Sequence, residues 1–205
     1  MEQLYANNRR NKVTGKVISM STYEIEIKLP IADRDSVQAK LMQLGFQEEA
    51  RIRECDMYYN SDYHDVKMLG EALRIRKSTD LLTGMTKAQI NFKGKKIDKV
   101  SMSRQEYETV VEDADSMEQI LKSLDFLPVA GVEKTRIYLQ REEMTACLDQ
   151  VDGLGDFLEL EVIAHEEILR EAHLENMEQL LTTLGLSMKD TVRTSYLGML
   201  LREKI

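Results

Sequence analysis

The chain has 205 residues and a mass of 23.7 kDa, enough for one large domain or two small ones, and its 42% apolar content can build a core. With 36 Asp and Glu against 28 Lys and Arg, the formal net charge of -8 argues against a nucleic-acid polymer as partner, because general phosphate neutralisation needs a basic surface. No apolar run approaches the length of a membrane span, so no membrane partner is expected.

Cys55 and Cys147 lie far apart and no secretory leader precedes them, which fits reduced thiols and a cytoplasmic location. His64, His165 and His173 have no metal-ligand spacing. Residues 1–20, with Arg9, Arg10, Lys12 and Lys16 among asparagines, read as a flexible N-terminal arm, and 21–205 as a single domain. Met20 is an alternative start, and a short strand around Lys16 to Ile18 is the alternative to an arm.

From Tyr23 to Leu29 polar and apolar residues alternate, placing Glu24, Glu26 and Lys28 on one face of a strand and Ile25, Ile27 and Leu29 on the other. Pro30 is expected to stop it. Asp33 to Leu44 has a capping aspartate, helical spacing of Val37, Leu41 and Leu44, and a terminating Gly45. Phe46 to Asn60 suggests a strand with a break or bulge, followed by a polar loop from Ser61 to Gly70.

Alternation returns at Glu71 to Lys77, with Arg74 and Arg76 on one face, at Gln89 to Lys93, with Asn91 and Lys93, and at Ser101 to Val111, with Arg104, Glu106 and Glu108. A second helix is expected over Asp115 to Leu124, closed by Pro128. Strands then follow at Val132 to Gln140, with Lys134, Arg136 and Tyr138 on one face, at Thr145 to Val151, with Cys147 and Asp149, and at Phe157 to Ile163, with Glu159 and Glu161. An amphipathic helix over Glu166 to Leu184 and a short apolar helix over Ser195 to Leu201 complete the chain. No internal repeat is evident.

The expected fold is α+β, with about eight strands and several flanking helices. If it closes into a barrel with the charged faces inward, the lumen is polar and the apolar faces pack outward under the helices. A lumen of mixed charge is costly unless the charges pair or bind something. Clustered Arg and Lys suit a polyphosphate, and clustered carboxylates suit a divalent metal carried with it. A solvated charged face that binds nothing is the bland alternative.

Glu24-Ile-Glu-Ile-Lys28, Ala72-Leu-Arg-Ile-Arg76, Asn91-Phe-Lys-Gly94, Glu133-Lys-Thr-Arg136 and Asp152-Gly-Leu-Gly-Asp-Phe-Leu-Glu159 resemble, in order, the motifs of the CYTH superfamily, the triphosphate tunnel metalloenzymes. Ser195-Tyr-Leu-Gly-Met-Leu-Leu201 is similar to the family's C-terminal helix, and the class IV adenylate cyclases are the nearest likeness.

The resemblance implies an eight-stranded antiparallel β-barrel, a tunnel with a polar lumen, that takes a triphosphate-containing small molecule as ligand, with Mg2+ or Mn2+ as cofactor. It implies Glu24, Glu26, Glu159 and Glu161 as metal ligands, with Asp149 a further metal-side acid. Lys28, Arg74, Arg76, Lys93, Lys134 and Arg136 would bind phosphate, and Glu24, Glu26, Lys28, Lys93, Arg136 and Asp149 form the implied catalytic set. The implied activity is conversion of ATP to cyclic AMP and pyrophosphate. A triphosphatase and a non-catalytic polyphosphate or nucleotide binder are the alternatives, and the cyclase relatives suggest a homodimer.

Overall fold

The computed structural model describes residues 23–96, 104–164 and 170–202, with the side chains of residues 23, 24, 96, 104–106, 164 and 170 outside that description. The N-terminal arm, the expected strand start at Ser101, the expected helix start at Glu166, and His165 and Leu169 lie outside the described residues.

The elements run β1 (Tyr23–Pro30), α1 (Arg34–Gln43), β2 (Gln47–Asn60), β3 (Ala72–Asp80), β4 (Thr86–Lys96), β5 (Arg104–Val111), α2 (Ala114–Ser123), β6 (Leu127–Arg141), β7 (Met144–Val151), β8 (Gly155–Ala164), α3 (Arg170–Leu184) and α4 (Tyr196–Arg202). All eight strands join one antiparallel sheet in the order β1-β8-β7-β6-β2-β3-β4-β5. The α+β expectation holds. The sheet forms a barrel-like tunnel whose edge strands, β1 and β5, share no hydrogen bonds among the described residues.

Both prolines lie inside strands rather than beyond them. Pro30 ends β1 opposite Phe157, and Pro128 sits in β6 opposite Tyr59, where the β2–β6 register shifts. A residue without an N–H is tolerated at a strand end or a bulge, because the ladder bond is interrupted there.

The structure also contains a repeat that the sequence hides. β1-α1-β2-β3-β4 is followed by β5-α2-β6-β7-β8, and the sheet order is symmetric about the β6–β2 pair. Asp33 caps α1 by accepting from the Ser36 N–H, and Asp113 caps α2 by accepting from the Ser116 N–H. After each helix a residue with positive φ, Gly45 or Asp125, turns the chain so that the Phe46 or Phe126 N–H donates to the Leu41 or Leu121 carbonyl.

The apolar faces of the strands pack outward, as expected. Ile25, Ile27, Leu29, Leu139, Leu148, Leu158 and Leu160 are buried with Leu41 of α1 and Leu181 of α3. Tyr59 and Ile75 pack with Leu121 of α2. α4 packs against the opposite, charged face, where Tyr196 meets Val132, Val151 and Phe157 at one end. This placement decides the orientation of the sheet: Glu54, Asp56, Lys134, Arg136, Asp149 and Glu159 are all buried, whereas a flat sheet would leave them wet.

Candidate active site

The strand period delivers charged side chains to one face two residues apart, and neighbouring strands supply the opposite sign. On β1 the Lys28 Nζ lies 2.8 Å from Glu159 and 3.6 Å from Glu26. Arg136 on β6 donates to Glu159 and holds Asp149 through two bonds, each 2.6 Å. Lys134 stands 3.1 Å from Asp149 and 3.4 Å from Glu54. Arg76 lies 3.0 Å from Glu54 and grips Asp56 at 2.6 and 2.8 Å, while Arg74 lies 3.2 Å from Asp56. The result is a girdle of alternating charge from β1 across to β3.

Burial opposes every charge in this girdle, and its neighbours decide the outcome. Burial would raise the carboxyls of Asp149 and Glu159, but Arg136 and Lys134 hold both well below the usual carboxylate range. Asp56 is likewise held down against burial by Arg76 and Arg74. Burial would lower the Lys28 ammonium, yet Glu159 and Glu26 raise it. Asp56, Asp149, Glu159 and Lys28 are therefore charged at neutral pH.

The sequence-predicted residues divide by position. Lys28, Arg74, Arg76, Lys134, Arg136, Asp149 and Glu159 are brought together in the girdle, with Glu26 at its β1 end. Glu161 lies 3.6 Å from Arg136. Lys93 is opposite Ala72 and Glu106, on the same face as Arg74 by register. Glu24 is on β1 opposite Ile163, and its side chain lies outside the described residues, as do those of Arg104 and Glu106. Glu108 faces the tunnel: its carboxylate accepts from the Asn91 amide at 3.1 Å.

Asp149, expected as a metal-side acid, sits among three donors. Besides Arg136 and Lys134, it accepts the Tyr196 hydroxyl of α4 at 2.8 Å. The Tyr196 ring lies 4.4 Å from the Lys28 Nζ and 5.2 Å from that of Lys134. Sequence reasoning gave no role to Tyr196, Glu54 and Asp56, nor to Tyr138, which it placed on the face of Lys134 and Arg136 and whose hydroxyl donates to Glu54 at 3.3 Å. The period-two run Ile52, Glu54, Asp56, Tyr58 was the available signal for the two acids. Tyr59 is buried in the core under α2, and Tyr63 is exposed. Cys147 is buried on the tunnel face, Cys55 is partly buried, and both thiols are free.

Among the described residues no three Asp, Glu, His or Cys side chains gather closely enough to hold a metal ion. The donor chemistry nonetheless fits one. Glu26 and Glu161 are direct partners in the β1–β8 pair, and like charges placed opposite each other are unfavourable without a cation. Their nearest cations, Lys28 and Arg136, are each 3.6 Å away. Carboxylate oxygens suit Mg2+ or Mn2+, which are commonly held by one or two protein carboxylates together with phosphates of the substrate.

An antiparallel charge-lined tunnel of this kind defines a class, and the comparisons agree. The chain matches the CYTH domain over residues 22–196 and belongs to the CYTH family. A Methanocaldococcus jannaschii protein with a provisional adenylate cyclase name is 37% identical over 174 residues, spanning 85% of this chain and 96% of that one. Adenylate cyclase CyaB of Aeromonas hydrophila is 26% identical over 175 residues, spanning 85% and 86%. The solved structure of the PH1819 protein of Pyrococcus horikoshii superposes with a TM-score of 0.76 at 33% identity, covering 88% of this chain and 99% of that one. No helix among the described residues is long and apolar enough to cross a membrane.

Proposed function

We propose that the tunnel binds a triphosphate together with a divalent cation and promotes displacement at one of its phosphorus atoms. Conversion of ATP to cyclic AMP and pyrophosphate, the activity named for the two curated relatives, is the leading form.

The alternating girdle carries this reading. Each buried cation in it is paired with a carboxylate, so a polyanion that takes the cations strands the carboxylates. Breaking a buried pair by removing one partner costs about 3–5 kcal/mol. A divalent cation arriving with the polyanion satisfies the released acids. Anion and cation are thus favourable together and unfavourable apart, and a chain of net charge -8 can accept a tetra-anion.

In this reading Lys28, Arg74, Arg76, Lys93, Lys134 and Arg136 hold phosphate oxygens, and Glu24, Glu26, Glu159 and Glu161 hold the cation. Bound there, the cation supplies charge neutralisation and activation of the attacking oxygen. Asp149 keeps Arg136 and Lys134 aimed along the tunnel, and α4 limits water at one end. In cyclisation the ribose 3'-hydroxyl attacks the α-phosphorus, its proton is released, and pyrophosphate leaves with the bonding pair. Positioning and electrostatic stabilisation dominate such transfers, and a girdle of Arg and Lys provides both.

A triphosphatase, in which water attacks the terminal phosphorus, uses the same residues. A binding module without turnover uses them as well. Offering ATP, inorganic triphosphate and thiamine triphosphate in parallel with Mg2+ and Mn2+ and identifying products separates the three. Cyclic AMP with pyrophosphate is the expected result; orthophosphate alone overturns the cyclase form, and binding without turnover overturns catalysis.

A further inference from the structure

On β4 and β5 the tunnel face presents Gln89, Asn91 and Lys93, opposite Val110, Glu108 and Glu106 respectively. Glu108 differs from the carboxylates of the girdle and of the β1–β8 wall. Glu26, Glu54, Asp56, Asp149, Glu159 and Glu161 each have a cation within 3.6 Å, whereas Glu108 is held by the neutral amide of Asn91, itself 1% exposed. Two residues further along, Val110 is 69% exposed although it lies on the polar face.

A lone carboxylate beside phosphate-binding arginines repels a phosphate and so is placed for a different part of the ligand. It can only accept, and a hydroxyl is the donor that a nucleoside offers next to its phosphates. Vicinal ribose hydroxyls paired with a fixed acid are a recurrent arrangement in nucleotide sites. The exposed Val110 adds an apolar surface for the sugar or base. Asn91 is buried, and its amide N–H holds the acid at 3.1 Å.

We propose that Glu108 reads the organic end of the ligand: it accepts a hydrogen bond from a ribose hydroxyl, and so makes the tunnel prefer nucleoside over inorganic triphosphate. This rests on the triphosphate reading of the tunnel, and the test separates the two. Binding of inorganic triphosphate, ATP, 2'-deoxy-ATP and 3'-deoxy-ATP is measured by calorimetry with Mn2+ present, on the full wild-type chain and on Glu108→Gln and Glu108→Ala. Loss of one hydrogen bond to a charged acceptor weakens binding about tenfold. ATP should lose that factor in both variants, while inorganic triphosphate and the deoxy analogue lacking the contacted hydroxyl are unchanged. Equal weakening of inorganic triphosphate, or unweakened ATP, overturns the role of Glu108. No binding of inorganic triphosphate to the wild-type chain overturns the tunnel reading and this inference with it.

Discussion

Glu54 of β2 and Lys134 of β6 are register partners 3.4 Å apart, and the two halves of the sheet repeat about that pair. The charges swap sign across it. Asp56 opposite Arg76 in the first half corresponds to Arg136 opposite Asp149 in the second. Asn91 donating to Glu108 likewise corresponds to Lys28 meeting Glu159, with donor and acceptor strands exchanged. The inversion sets the acid-rich wall of β1 and β8 against the arginine-bearing wall of β3.

Glu54→Gln removes the charge that Arg76 and Lys134 share at 3.0 and 3.4 Å. The cost should be about 3 kcal/mol, because two buried cations lose a partner. Urea unfolding measures it. An unchanged midpoint would mean that Asp56 and Asp149 alone neutralise both cations.

Glu26→Gln and Glu159→Gln should separate function from stability. The Glu26 side chain is 27% exposed and its nearest cation is 3.6 Å away, so its loss should abolish metal-dependent turnover with little change in melting temperature. Glu159 is buried against Lys28 and Arg136, so its loss should abolish turnover and also cost about 3 kcal/mol of stability. Retained turnover in both would sink the metal assignment.

Tyr196→Phe keeps the ring beside Lys28 and Lys134 but removes the hydroxyl bonded to Asp149. A loss of about 1–3 kcal/mol is expected, the penalty for leaving a buried acceptor short of a donor. Tyr196→Ala also removes the ring that packs with Val132, Val151 and Phe157, and should cost about 3–5 kcal/mol. Guanidinium unfolding of the two variants checks the order: an unchanged midpoint in Tyr196→Phe would show that the hydroxyl does nothing, and equal losses would show that the ring adds nothing to it.

Acid should unfold the protein from the girdle outward. Asp56, Asp149 and Glu159 are all held below their ordinary range by cations, so each contributes stability above the unfolded value of about 4, and that stability is lost as pH falls towards the lowered folded value. Lys28, raised by Glu159 and Glu26, contributes below its unfolded value and loses that contribution only as pH rises through its folded value. The melting temperature should be level from pH 7 to 5 and drop below about pH 4. A level profile to pH 3 would show that these pairs add nothing net.

Much of the architecture is visible in the local pattern. Alternation across β1, β3, β6, β7 and β8 separates tunnel side chains from core side chains, and the aspartate caps and Gly45 mark both ends of α1. β2 is harder, since Arg51, Arg53 and Met57 on its outer face break the contrast with Glu54 and Asp56 on the inner one. The repeat is hidden for a related reason: equivalent positions carry opposite charges, so a comparison by residue type finds no likeness where the backbone repeats.

What the amino-acid order determines by itself is which residues share a face, because a strand's two-residue period acts within one segment. It also specifies where helices begin, through caps that bond only to their own first turn. The tertiary structure decides which face points inward and which acid meets which base. Those outcomes depend on α1, α2 and α3 covering the apolar side while α4, among the described α-helices, lies on the charged side. They also depend on registers between strands far apart in the chain, such as the one that sets Glu54 against Lys134.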